Sequence, residues 1–213
     1  MLFRSTIVAV GDFRDIKKLK GTGTKVVDLS GYFVVPGFID SHVHFLTGGF
    51  NLSSVQLRDA QTREEFIRRI GDYAKTVPPG TWILGGDWDH TLWGGELPGR
   101  DWIDRNTPEH PVFVTRLDGH MSLANSLAMK LAKVDRNTPD VAGGTIVRDR
   151  EGWPTGIFKD NATWLIEKII PPPDGEQEDR ALIAAMDYVA SHGVTSVHHR
   201  SEEHTSELQS RQS

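Results

Sequence analysis

The feature that most narrows the folds open to this chain is Asp40-Ser41-His42-Val43-His44, set directly behind the apolar run Tyr32–Ile39 (YFVVPGFI). Such a run suits a strand buried on both faces, as in parallel sheets, with Pro36-Gly37 bending it or marking its first residue. Side chains alternate along a strand, so His42 and His44 point to one side and Val43 to the other. Two imidazoles on one side of a strand end can both meet a single cation at about 2.0–2.1 Å. In a (β/α) barrel the strand ends line the catalytic mouth, where a divalent metal polarises a carbonyl and makes hydroxide from bound water. An isolated His-x-His is more often a pair of loop residues with ordinary hydrogen bonds.

Any such metal must be held by nitrogen and oxygen, because the 213 residues include no cysteine. The chain has 24 basic and 29 acidic side chains, a formal charge of −5, and so lacks the basic face that nucleic acid would demand. No apolar run approaches the roughly 18–20 residues of a membrane-spanning helix. The stretch Ile7–Val10 is too short for the h-region of a secretory signal, about 7–15 residues. No nucleic-acid or membrane partner is expected, and a cytoplasmic location is the default.

Element by element, residues 6–13 and 25–29 read as short β-branched strands. Residues 62–76 read as a helix, with Thr62 as N-cap and Glu65 three residues on in a capping-box pattern. Its Phe66, Ile70 and Tyr73 fall on one face. Trp82–Gly85 and Val112–Thr115 are short strands, and Ser122–Lys133 is a helix striped by Leu123, Leu127 and Leu131. Thr145–Arg148 and Thr155–Phe158 flank a turn as a hairpin. A helix over Ala162–Ile169 stops at Pro171-Pro172-Pro173. Another, from Glu176 to His192, ends at Gly193, and Val194–His198 is the next strand.

Several strings give the chain a family resemblance: VVPGFIDSHVHF (34–45), WILGGDWDHTLWGGELP (82–98), PVFVTRLDGHMSLANSLA (111–128), GGTIVRD (143–149), PTGIFKDNA (154–162) and GVTSVHH (193–199). Together they resemble the amidohydrolase superfamily, in the amidohydrolase-3 or YtcJ-like branch that includes N-substituted formamide deformylases and a plant long-after-far-red-type member. The resemblance implies an α/β fold: an incomplete metal-dependent-hydrolase (β/α) barrel with part of a small flanking β-domain. Residues 1–33 would be that partial β-domain, 34–199 the N-terminal portion of the barrel with an insertion, and 200–213 an artefactual or disordered tail. RSEEHTSELQS (200–210) looks like the in-frame translation of a sequencing-library adapter, and the β-domain looks clipped at its start.

The resemblance also assigns roles. His42 and His44 are metal ligands, the metal being divalent and expected to be zinc. Asp160 ranks above Lys159 as the acidic or bridging group, and His120 is a second catalytic candidate. Trp88, Asp118 and His120 are substrate-binding candidates, with Asp89, His90 and Trp93 in the same aromatic loop. His198 and His199 end a strand but are poor ligand candidates. The expected reaction is metal-dependent hydrolysis of carbon–nitrogen bonds other than peptide bonds, in small amides or N-substituted formamides. Superfamily members bring further histidines and a catalytic aspartate from later strands, so this chain by itself is expected to be inactive. The alternative is a non-catalytic binding or regulatory scaffold on the same barrel. A cupin is disfavoured because no glutamate closely follows the histidine pair.

Overall fold

The computed structural model describes residues 6–200. The tail expected at 200–213 therefore lies outside the described residues, apart from Arg200. The chain divides into two units, 1–36 and 37–213. In the first, the only α-helix among the described residues is one turn, α1 (Phe13–Ile16), capped by Asp12, whose Oδ1 accepts the Arg14 N–H at 2.9 Å. The strands expected at 6–13 and 25–29 do not form: those residues are free of ladder bonds, and Ile7, Val8, Val26 and Val27 are exposed. β-propensity describes how a side chain fits a half-buried pleated surface, and without a pairing partner it produces no strand.

The second unit runs β1 (Phe38–Val43), α2 (Phe45–Ser53), β2 (Val55–Gln56), α3 (Arg63–Ala74), β3 (Ile83–Trp88), α4 (Arg100–Ile103), β4 (Val112–Arg116), β5 (Met121–Ala124), α5 (Ser126–Leu131), β6 (Gly144–Arg148), β7 (Pro154–Asp160), α6 (Trp164–Glu167), α7 (Gly175–Ser191) and β8 (Val194–His199). It is a mixed α/β fold with two sheets. β1 and β8 form a parallel pair, and the other strands lie in the order β2-β3-β4-β5-β7-β6. The first strand begins at Phe38 instead of Tyr32, where its N–H donates to Gly193 O at 2.9 Å. No helix among the described residues is long and apolar enough to cross a membrane.

Alternation along the six-stranded sheet feeds two separate cores. Val112 and Val114 of β4, Leu123 of β5 and Ile157 of β7 pack with Phe66, Ile70 and Trp102 under α3 and α4. Their neighbours Phe113, Ala124 and Phe158 pack with Met129, Ala162 and Ile166 on the other face. The helix expected over 122–133 is instead β5 followed by α5. Asn125 makes the break. Its Oδ1 accepts from Val112 N–H at 3.0 Å and Ala128 N–H at 2.9 Å, while its Nδ2 donates to Thr107 Oγ1 and His110 O. This buried amide is a helix cap fully satisfied by its surroundings, which outweighs the local leucine stripe. The helix expected over 162–169 likewise shortens to a single 3₁₀ turn and α6.

Other expectations match closely. Thr62 caps α3 by accepting the Glu65 N–H at 3.1 Å, but the Glu65 carboxylate takes the N–H of Gln61 at 2.9 Å rather than that of the cap. α7 opens with a full capping box between Asp174 and Gln177 and ends at Gly193, whose φ of 77° favours glycine. α2 lies against α7 so closely that a Cβ on Gly49 would stand 2.0 Å from Ala181 O. β6 and β7 form the expected hairpin.

Candidate metal centre and the cleft beside it

His42 lies in β1 and His44 just beyond it, as N-cap of α2; both are exposed. Their ring centroids are 5.6 Å apart and the rings are tilted by 51°. Two imidazoles sharing one tetrahedral cation at ~2.0–2.1 Å place their centroids about 5 Å apart, close to the separation of this pair. The backbone around them is fixed from both sides. The Asp40 carboxylate accepts the His42 N–H at 3.0 Å, and His199 Nδ1 accepts the Phe45 N–H at 3.0 Å. That second bond uses the Nδ1 lone pair of His199 inside the fold and sets its proton on Nε2, a tautomer unsuited to ligation. Among the described residues no group of three potential ligands stands close enough to hold one ion.

His44 opens onto a cleft of about 390 Å³ at the ends of β1, β2 and β3. Asp40, Gln56, Arg58 and Asp87 line it, with Tyr188 and Val189 of α7 as part of its wall. Asp87 is partly buried and sits at φ 51°, directly after Gly85 and Gly86 at 79° and 99°. These three residues break the β3–β4 register between Gly86 and Trp88.

β2, β3 and β4 run parallel, and β7 runs with them because two antiparallel steps intervene. The residues after β3 and β4 and at the end of β7 therefore share one sheet edge with the cleft. Along that edge the fold brings together Asp118, His120 and Asp160. His120 Nδ1 lies 3.0 Å from Asp160 Oδ1, and the Asp118 carboxylate accepts the His120 N–H at 3.1 Å. Both members of the His120–Asp160 pair are largely exposed, at 74% and 54%. No hydrogen bond among the described residues joins this group to His42 or His44. The β3 to β7 distance is three strand spacings, about 14 Å.

Between the two groups lie Asp89, His90 and Arg116. Asp89 accepts the Thr91 N–H at 3.0 Å and its hydroxyl at 2.8 Å, which holds its carboxyl below the usual range. Arg116 pairs with Asp118 at 2.5 Å. Burial, and then the charge of Arg116, push His90 below its ordinary value of 6.5. His90 Nδ1 and Arg116 Nε are buried without a protein partner.

Trp88 is a correction. Expected in a substrate wall, it is fully buried, its indole donates to Val114 O at 2.9 Å, and its ring meets Phe66 edge-on. Trp gains large burial wherever a core accepts it, and the register break between Gly86 and Trp88 puts this one in the same core as Ile83, where plain alternation would not. Trp93 also packs on Phe66, at 5.2 Å. Lys159 is paired in the ladder with Met121 and Thr145. Sequence reasoning passed over Asp87, Arg58 and Arg116. Only Asp87 carried a usable signal, since Gly-Gly-Asp inside a strand marks positive φ.

The profile of the Amidohydrolase family matches residues 25–212. Protein LONG AFTER FAR-RED 3 of Arabidopsis thaliana is 44% identical over 90% of this chain and 33% of its own length. YtcJ of Bacillus subtilis is 32% identical over 90% and 37%. The N-substituted formamide deformylase of Arthrobacter pascens is 32% identical over 75% and 30%. Two crystal structures, described as uncharacterized metal-dependent hydrolases from Pyrococcus horikoshii and Pyrococcus furiosus, superpose with TM-scores of 0.60 and 0.61 at 29% and 28% identity. Each superposition covers 88% of this chain, and 35% and 36% of theirs. A mixed α/β chain with these neighbours has the fold of the metal-dependent hydrolases. The chain belongs to the amidohydrolase family, in the branch that contains YtcJ, N-substituted formamide deformylase and LONG AFTER FAR-RED 3. It spans about a third of the length of these relatives.

Proposed function

We propose that the full-length protein is a metal-dependent hydrolase of carbon–nitrogen bonds other than peptide bonds, acting on small amides or N-substituted formamides. The observation that carries this reading is the His42–His44 pair, 5.6 Å apart beside a ligand-sized cleft. In this reading β1 and β8 are adjacent strands of a (β/α) barrel, and the six-stranded sheet is part of the long connection between them. His42 and His44 are two ligands of a divalent ion, zinc being the natural choice for imidazole donors without thiolates. When bound, the ion supplies Lewis acidity and a nucleophile from water.

The other residues have supporting parts. Asp40 and His199 hold the backbone that carries the ligands. Asp160 accepts from or shares a proton with His120 Nδ1, which fixes the orientation of that ring and leaves Nε2 for a substrate atom. Asp118 holds the turn that presents His120. Two imidazoles fall short of the three protein ligands that a catalytic zinc site generally uses, so residues 1–199 expressed alone should show no metal-dependent turnover.

The test is metal analysis and N-benzylformamide hydrolysis on the full-length protein. His42→Ala and His44→Ala should each lower both bound metal and kcat/KM by about a hundredfold or more, with little change in thermal stability. Full metal content and turnover in His42→Ala would overturn the assignment.

A further inference from the structure

Besides Tyr188, four ionisable side chains line the cleft at His44: Asp40, His44, Arg58 and Asp87. Three have evident occupations. Asp40 accepts the His42 N–H, His44 belongs to the histidine pair, and Arg58 is exposed and solvated. Asp87 has none. It is partly buried, and among the described residues its carboxylate makes no hydrogen bond or ion pair, not even with Arg58. Its backbone φ of 51° lies in the left-handed region, where glycine would sit without cost and an aspartate costs about 1 kcal/mol. The two residues before it are glycines that already hold this conformation. A residue that strains its backbone and leaves its carboxylate without a partner among the described residues is one whose side chain answers to something outside the fold.

We propose that Asp87 is a specificity-determining residue, and that the cleft takes amides whose substituent carries an ammonium group. This rests on the amide-hydrolase reading above. Asp87 lines the same cleft as His44, so a substrate with its carbonyl at the histidine pair can reach Asp87 with its substituent. A charged hydrogen bond in a partly desolvated cleft is far stronger than one in open water. Asp87 acts on binding of the substituent and takes no part in bond cleavage.

The probes are N-(2-aminoethyl)formamide and N-propylformamide, of similar size and differing by one positive charge. On the full-length protein, kcat/KM should favour the ammonium probe by about tenfold or more. Both Asp87→Asn and Asp87→Gly should bring the ratio near one, by lowering kcat/KM for the ammonium probe much more than for the neutral one. Asp87→Gly should also fold at least as stably as the wild type, which separates recognition from structure. Equal preference in the wild type, a ratio that survives either substitution, or a parallel fall on both probes would overturn the proposal. Titration calorimetry with the same probes gives the answer without turnover. Tighter, Asp87-dependent binding of the ammonium probe with neither probe cleaved would sustain this inference and sink the hydrolase reading.

Discussion

In the six-stranded sheet, alternate residues of β4, β5 and β7 vanish into two cores, whereas the β1–β8 pair leaves Phe38 and Ile39 more than half exposed. The larger sheet joins six strands and is covered on both faces by helices. The smaller has one ladder, irregular at two places, and is braced by the α2–α7 contact and by single bonds such as Phe45 to His199. Yet the histidine pair sits at the end of the smaller sheet. Buried packing fixes the shape of the cleft from the β2 and β3 side, while the proposed ligands stand accessible at the end of a two-stranded sheet, their backbone held by the single bonds from Asp40 and His199. In that reading stability and chemistry fall on different strands, and substitutions should separate them.

The largest effect should come from the well-packed sheet. Trp88→Ala removes a fully buried indole and should cost about 3–5 kcal/mol, read as a fall in the denaturation midpoint. A loss of binding with stability intact would return Trp88 to the substrate wall and break the contrast. A smaller cost is expected at the joint between α2 and α7. Gly49→Val places branched carbon against Ala181 O, so the helices must part, at about 1–3 kcal/mol. Because α2 follows His44 directly, this variant should also lower metal affinity, whereas Trp88→Ala should do so only by unfolding. Equal metal affinity in Gly49→Val and wild type would show that the ligands do not depend on the helix pair.

The smallest effect concerns pH. His90 titrates below 6.5 when folded, so the folded state binds fewer protons than the unfolded one as pH drops past that value. Its contribution is complete above about pH 6.5 and is lost as pH falls toward the folded pKa. Urea midpoints of the wild type should therefore decline over that window, and His90→Gln should flatten the decline. An identical slope in both proteins would place the titration elsewhere.

The sequence made the local elements legible wherever a cap and a periodic stripe agreed. α3 with Thr62, α7 with Gly193 and the β6–β7 hairpin belong to this group, whereas the strand expected over Tyr32–Ile39 forms only from Phe38 and is largely exposed, because β8 alone pairs with it. Elements decided by distant partners were hidden. β5 exists because β4 and β7 flank it, and Asn125 caps α5 because Thr107 and His110 satisfy its amide. Val8 and Val26 carry strand propensity with no strand to pair. In the site, spacing put His42 and His44 on one side of a strand end and the family resemblance singled them out as ligand candidates, whereas the meeting of His120 with Asp160, forty residues away, required the β5–β7 register. Trp88 misled because an aromatic beside polar residues looks the same in a string whether it faces water or a core.

The Phe45–His199 hydrogen bond joins residues 154 positions apart. For a flexible chain, closing such a loop would cost several kcal/mol, about (3/2)RT ln n plus a constant. The intervening segment is not flexible once its own sheet has formed, and its ends then emerge already near one another at α2 and α7. The expected order of folding is that the six-stranded sheet forms first and serves as a splint, and the ladder that carries the histidines closes last. In a hydrogen-exchange experiment the amides of β1 and β8 should open with far less protection than those of β4 and β7.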